Sequence, residues 1–248
     1  MKTVLITGCS SGFGLATAEY FLAQGWKVVA TMRRPEAGLL PVSERLRVMA
    51  LDVTDAASIA AVMAQAGPID ALVNNAGIGL LSVIEDTEVA VMRDIFETNT
   101  IGLMAMVRAV LPQMRARRSG VIVNVTSTVT VAALPMLAVY TASKAAVEAF
   151  SASLALEVAD FGIEVKVVLP GQGKTKLGEN ARGRMKLDFP QAYADFARGV
   201  FARTMAGSGG TLVEDVAHGV WRAATDPDCP MFLPAGADAV AAFEASRH

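Results

Sequence analysis

The sequence predicts an α/β fold, a doubly wound parallel sheet of about seven strands with helices on both faces, in a single domain. Three observations lead there. Short β-branched runs alternate along the chain with longer segments of helical periodicity. Several of these runs are continuously apolar, as strands are when helices cover both faces of a sheet. A glycine-rich turn at 8–14 joins the first run directly to the first helical segment, and doubly wound sheets bind ligands at such turns.

Taken in order, the first strand is 3–7 (Thr-Val-Leu-Ile-Thr), followed by a helix near 13–24. Strands at 26–31 and 46–50 precede a helix near 55–66, and a strand at 70–74 precedes a long helical pattern at 88–117. The strand at 121–126 leads to a helix near 138–161. Strands at 164–169 and 231–233 enclose a helix near 213–225. Residues 119–143 carry no charge, but Asn124, Thr126, Ser127, Thr128, Thr130 and Pro135 make them too polar for a lipid-spanning helix. They read as a buried strand followed by a loop. The segment 172–211 breaks the alternation. It is basic at first (Lys174, Lys176, Arg182, Arg184, Lys186), then aromatic at helical intervals (Phe189, Tyr193, Phe196, Phe201). An insertion after the carboxyl end of a strand overhangs the ligand crevice, so a substrate lid is expected there. The alternative is a solvated excursion with an amphipathic helix.

Composition narrows the function. At 248 residues the chain can bury one large core. A net charge of -2 gives no electrostatic reason to expect nucleic acid or an anionic membrane surface. With 53% hydrophobic and 19% charged residues, disorder is excluded. Cys9 and Cys229 match no disulfide framework or zinc spacing and read as thiols in a reducing, cytoplasmic setting. His218 and His248 are the only histidines, too few for a histidine triad or metal site. Met1-Lys2 run straight into the first strand, so no leader peptide is expected.

The turn reads Thr7-Gly8-Cys9-Ser10-Ser11-Gly12-Phe13-Gly14. Gly8 suits the tight turn, Gly12 a close backbone approach to pyrophosphate, and Gly14 the packing of helix on strand. The helix then directs its free N–H groups at phosphate. The spacing is Gly-x3-Gly-x-Gly rather than Gly-x-Gly-x-x-Gly. It resembles the classical short-chain dehydrogenase/reductase family, whose fold is Rossmann-type.

At the end of the second strand, Met32 is followed by Arg33-Arg34, and no acid is present to accept from a ribose 2′-hydroxyl. A guanidinium can clamp a 2′-phosphate in bidentate fashion. Arg33, with the Ser10 and Ser11 hydroxyls, therefore points to NADP, with NAD possible. The resemblance implies that Asp52 and Val53 flank the adenine. Asn74-Asn75-Ala76-Gly77 matches another family signature, in which small residues pass close to adenosine while Asn side chains tie neighbouring backbone. Asn74, Ala76 and Gly77 are thus expected at the cofactor. The segment Pro170-Gly171-Gln172-Gly173-Lys174-Thr175 is similar to the family's stretch beside the nicotinamide carboxamide, with Gly173 where an aliphatic residue is usual. Pro170, Gly171, Gly173 and Thr175 join the expected cofactor contacts.

Tyr140 and Lys144 stand four apart, on one face of a helix. A nearby ammonium favours phenolate and should lower the tyrosine pKa from about 10 toward the working range. Lys144 can also hold the nicotinamide ribose hydroxyls. Ser127 follows the fifth strand, where its hydroxyl can stabilise charge developing on a carbonyl oxygen. The resemblance adds Asn99, in the 88–117 helix, where a polar side chain can disturb the ladder and hold a relay water.

The expected reaction is hydride transfer between NADP(H) and a small-molecule carbonyl or alcohol, with Tyr140 as general acid/base. An idle NADP-binding sensor or scaffold is the alternative. Within the family the cofactor half resembles hydroxysteroid and retinol dehydrogenase-like members, which suggests a bulky apolar substrate. Val107, Val110, Leu111 and Met114 on one helix, and Ala142, Ala145, Ala149 and Phe150 on another, form apolar faces. Such helices make subunit interfaces in classical relatives, so a homodimer or homotetramer is expected, with core packing the other use of these side chains.

Overall fold

The computed structural model describes residues 1–173, 190–206 and 210–246. Seven parallel strands form one sheet in the order β3-β2-β1-β4-β5-β6-β7. They are β1 Thr3–Thr7, β2 Lys27–Met32, β3 Leu46–Ala50, β4 Ala71–Asn74, β5 Gly120–Val125, β6 Ile163–Pro170 and β7 Phe232–Ala235. The helices are α1 Gly12–Ala23, α2 Ala56–Ala66, α3 Val89–Phe96, α4 Gly102–Arg117, α5 Ala138–Val158, α6 Ala194–Ala206, α7 Val213–Thr225 and α8 Ala237–Ala245. The expected architecture is present.

Each central strand is buried on both faces, which accounts for its unbroken apolar run. On one side Val4, Ile6, Val28 and Val123 meet Phe21 of α1 and Val216 and Val220 of α7. On the other, Leu5, Leu72 and Ile122 meet Val62 of α2, Met106 and Val110 of α4, and Val147 and Leu154 of α5. Local signals set the ends of the helices. The Asp55 carboxylate accepts from the Ala57 N–H at 2.9 Å to start α2. The Arg47 guanidinium donates to the Gln65 and Ala66 carbonyls at 2.7 and 2.5 Å at its other end.

Three expectations need revision. The helical pattern at 88–117 is divided by a π-helical turn, Glu97–Ile101, that carries Asn99. The apolar positions on α4 are mostly core: Val107, Val110 and Met114 pack against the sheet and leave Leu111 half-buried. Of the proposed interface faces, Ala142, Ala145 and Ala149 on α5 are the exposed part. Finally, α6 and α8 are helices that periodicity alone did not delimit. In the 172–211 segment, α6 packs Ala197 and Val200 onto Val83 and Met136. The basic residues from Lys174 to Lys186, and Phe189, lie outside the described residues. Among the described residues no helix is long and apolar enough to cross a membrane.

Ile122 sits fully buried at the centre of β5, between helices it cannot pull inward. Ile122→Ala should therefore cost about 2–5 kcal/mol, read as a lower urea midpoint with an unchanged slope.

Candidate active site

Strand order reverses between β1 and β4, so the loops leaving these neighbours diverge and open a crevice at the carboxyl edge of the sheet. The Gly8–Gly14 turn lies on one lip. Gly8 has φ +77, and a Cβ there would fall 2.8 Å from Ala76 Cα. Gly14 lies so close to β1 that a Cβ would come 2.3 Å from the Gly8 carbonyl oxygen. Both positions therefore demand glycine, the first for its left-handed backbone and the second for close approach. Ser11 precedes the helix in extended conformation and makes no side-chain capping bond. The turn is sewn to the β4 loop: Asn75 Nδ2 donates to the Thr7 and Gly8 carbonyls at 2.9 and 3.1 Å. Asn75 and Ala76 N–H groups both donate to Thr7 Oγ1, at 3.0 and 2.9 Å. Asn74 is placed differently from the expectation. Its amide donates to Asn124 Oδ1 at 2.9 Å inside the sheet, so only its backbone can face a cofactor. Alternation along the strand sends neighbouring side chains to opposite faces.

The same lip continues to the adenosine end. Cys9 N–H donates to the Thr31 carbonyl at 2.9 Å, and Leu51 N–H to the Met32 carbonyl at 2.9 Å. These bonds bring Ser10, Ser11, Arg33, Asp52 and Val53 to one edge, with Arg33 exposed and Val53 buried. The Thr54 N–H and hydroxyl, at 2.9 and 2.7 Å, hold the Asp52 carboxyl below the usual carboxylate range, with Arg33 adding a smaller effect. The Cys9 thiol, fully buried, is pushed up to about 12 and is inert.

On the opposite side, α5 carries Tyr140 and Lys144 one turn apart, and Ser127 follows β5 after one residue. Lys144 Nζ donates to the Val125 carbonyl at 3.0 Å and is buried. The Ser127 hydroxyl hydrogen-bonds the Tyr140 phenol. Burial lowers the Lys144 pKa to about 8, and Glu148, when ionised, opposes this by a smaller amount. Burial pushes the Tyr140 phenol up to about 12, with the Ser127 bond working the other way. Here the structure reverses an expectation. With Nζ 5.9 Å from the ring centroid, the ammonium does not bring the phenol down, because burial penalises phenolate more. At neutral pH the phenol keeps its proton and is a donor.

Asn99 is fully buried in the π-helical turn. Its Oδ1 accepts from the Ile78 N–H at 2.8 Å, and Nδ2 donates to the Ile78 carbonyl at 3.0 Å and to Ser143 Oγ at 3.1 Å. Ser143 in turn donates to the Tyr140 carbonyl at 2.7 Å. Asn99 thus pins the loop after Gly77 to α5. A Cβ on Gly77 would lie 3.3 Å from Asn99 Oδ1 and 3.5 Å from Lys144 Nζ, so the chain passes this point without a side chain.

β6 ends at Pro170, and the next residues are clamped by Asp238 at the start of α8. Its carboxylate accepts from the Gln172 N–H at 2.7 Å and from Thr211 Oγ1 at 2.5 Å. Gly171 faces it so closely that a Cβ would fall 2.3 Å from Oδ2. Gly173 bridges to Thr211, which stiffens the segment where an aliphatic residue was missed. Thr175 lies outside the described residues. Ser143, Glu148 and Asp238 are the residues that sequence reasoning passed over.

Comparison with known proteins agrees with this fold. The family model described as short chain dehydrogenase matches residues 2–186. Bovine retinol dehydrogenase 8 is 41% identical over 182 residues, which cover 68% of this chain and 58% of the bovine protein. The chain thus spans less than two thirds of that relative's length. A short-chain dehydrogenase from Streptomyces avermitilis superposes with a TM-score of 0.84 at 35% identity, covering 98% of this chain and 91% of the other. A short chain dehydrogenase from Burkholderia cenocepacia, solved in complex with NADP, gives 0.78 at 26% identity, covering 99% of this chain and 94% of that one.

The displaced lysine pKa is measurable. Between about 8 and the ordinary 10.5 the unfolded chain holds the Lys144 proton more strongly than the native one, so this group's contribution to stability rises with pH across that window. In a 13C-lysine NMR titration one ammonium should titrate near 8 and vanish in Lys144→Met. Titration of every lysine above 10 would contradict burial as the dominant influence.

Proposed function

The chain belongs to the short chain dehydrogenase family, and on that premise we propose that it is an NADP(H)-dependent oxidoreductase acting on a carbonyl or secondary alcohol. The observation that carries the reading is the meeting of Ser127, Tyr140 and Lys144 at one point of the carboxyl edge. The cradle beside it, shaped by Gly8, Gly14 and Gly77, fits a dinucleotide.

The Gly8–Gly14 turn, including Phe13, would hold the pyrophosphate on the α1 N-terminus. Arg33, Ser10 and Ser11 would hold the 2′-phosphate, and Asp52 and Val53 would border the adenine. Ala76 and Gly77 would pass beside adenosine, and Pro170, Gly171 and Gly173 would face the carboxamide. Bound NADPH supplies the hydride.

The protein's own part is to position groups and move a proton. The Ser127 hydroxyl donates to the substrate oxygen and stabilises its growing negative charge. Tyr140, neutral at working pH, gives that oxygen its proton. Lys144 favours the resulting phenolate and offers its other N–H groups to the ribose. Asn99 keeps Lys144 and the β4 loop in register, which supports proton return. Alcohol oxidation uses the same groups in reverse. An apolar substrate is the reading that the likeness to bovine retinol dehydrogenase 8 supports.

Tyr140→Phe should abolish turnover of carbonyl substrates, a loss of about 100-fold or more, while NADPH binding followed by fluorescence changes little. Retained activity would sink the assignment.

A further inference from the structure

Glu148 follows Lys144 by one helical turn and is half-buried. Its Oε1 lies 2.8 Å from Thr130 Oγ1, and that same hydroxyl lies 2.8 Å from the backbone oxygen of Ser127. Thr130 has one hydroxyl proton. A peptide oxygen accepts only, and so does an ionised carboxylate. With Glu148 ionised, Thr130 can satisfy one of its two neighbours and must leave the other facing an oxygen lone pair. With Glu148 protonated, the carboxyl donates to Thr130 and Thr130 donates to Ser127, so both short contacts are hydrogen bonds at once. The Thr126 hydroxyl also bonds Glu148, and it lies 3.4 Å from the Val168 carbonyl oxygen, which already accepts from the Thr126 N–H at 2.8 Å.

We propose that Glu148 is a positioning residue which, as the neutral acid, locks the Ser127 turn onto α5 and so holds the Ser127 hydroxyl against Tyr140. The proposal rests on Ser127 and Tyr140 being the reacting pair. Its reach is short: Glu148 bonds Thr126 and Thr130, and these two residues bracket Ser127, Thr128 and Val129. Burial raises the Glu148 pKa, while the hydroxyls of Thr130 and Thr126 and the charge of Lys144 act against it. Among the described residues, Lys144 is the one charge that moves it. Asp238 and Glu244 on α8, which packs near the 128–130 turn, do not.

The alternative use of Glu148, as an ionised counter-ion for Lys144, is separable by substitution. Gln can donate to Thr130 as the neutral acid does, but it carries no charge. With the full chain and NADPH, E148A should lower kcat by about tenfold to a hundredfold without changing NADPH affinity measured by fluorescence. E148Q should restore most of it and should lack the loss of kcat that the wild type shows as Glu148 ionises with rising pH. T130V should lose activity as E148A does, which keeps the test open if E148A fails to fold. Equal impairment of E148Q and E148A, or unimpaired kcat in folded E148A and T130V, would overturn the proposal while leaving an inactive Tyr140→Phe, and so the reaction, intact. A second readout needs no turnover. The infrared carbonyl stretch of a protonated carboxyl should persist to higher pH than exposed glutamates allow, and be missing from E148Q. A wild-type spectrum without that band would also overturn it.

Discussion

A buried ammonium governs this structure. Lys144 is held at the carboxyl edge of the sheet with its Nζ on the Val125 carbonyl. Removing an ammonium from water is costly unless its hydrogen bonds are replaced, and burial duly lowers its pKa to about 8. The arrangement therefore needs α5 fixed in both translation and rotation against β5. Helical geometry does the rest, because it sets Tyr140 one turn before and Glu148 one turn after on the same face. A shift of α5 by one residue would break all three placements together.

Several polar contacts keep α5 where the lysine needs it. Asn99 reaches from the π-helical turn to Ser143 and Ile78, and Thr100 Oγ1 donates to the Ser143 carbonyl at 3.1 Å. Further along, Asn124 Nδ2 donates to Ser151 Oγ at 2.8 Å, which continues the Asn74 bond through the sheet into the helix. Buried polar groups of this kind stabilise only when satisfied, and then they specify one packing rather than many. The apolar layer of Val147 and Leu154 supplies the bulk of the driving force. The polar contacts decide the register. On the other side of the crevice, Asn75 and Thr7 do the same for the glycine turn, through side chains bonded to backbone.

Much of this was legible in the sequence, for physical reasons. Strands buried on two faces must be continuously apolar, which exposed the sheet. Ser127 at a strand end and Tyr140 and Lys144 at helical spacing encode their own proximity. The failures share a cause, because each depended on a partner far away in the chain. Asn74 and Asn75 are neighbours with opposite orientation, and only the register of β4 against β1 and β5 tells which one faces the turn. Val107 and Met114 could face either a subunit or the core until the sheet was in place. Glu148 and Asp238 gained roles from Thr130, Gln172 and Thr211, which lie 18, 66 and 27 residues away. The phenol pKa was misjudged because spacing reveals the charge nearby but not the depth of burial.

The central claim is that this site moves a hydride onto a carbon whose oxygen Tyr140 protonates. The most direct test is to incubate the protein with NADPH carrying deuterium at both hydrogens of the nicotinamide C4 and a panel of aldehydes and ketones, then locate the label by mass spectrometry. The account predicts deuterium on the carbinol carbon of a product, with one label per NADPH consumed and none transferred by Tyr140→Phe. NADPH consumption that leaves every product unlabelled, or equal transfer by Tyr140→Phe, would contradict it.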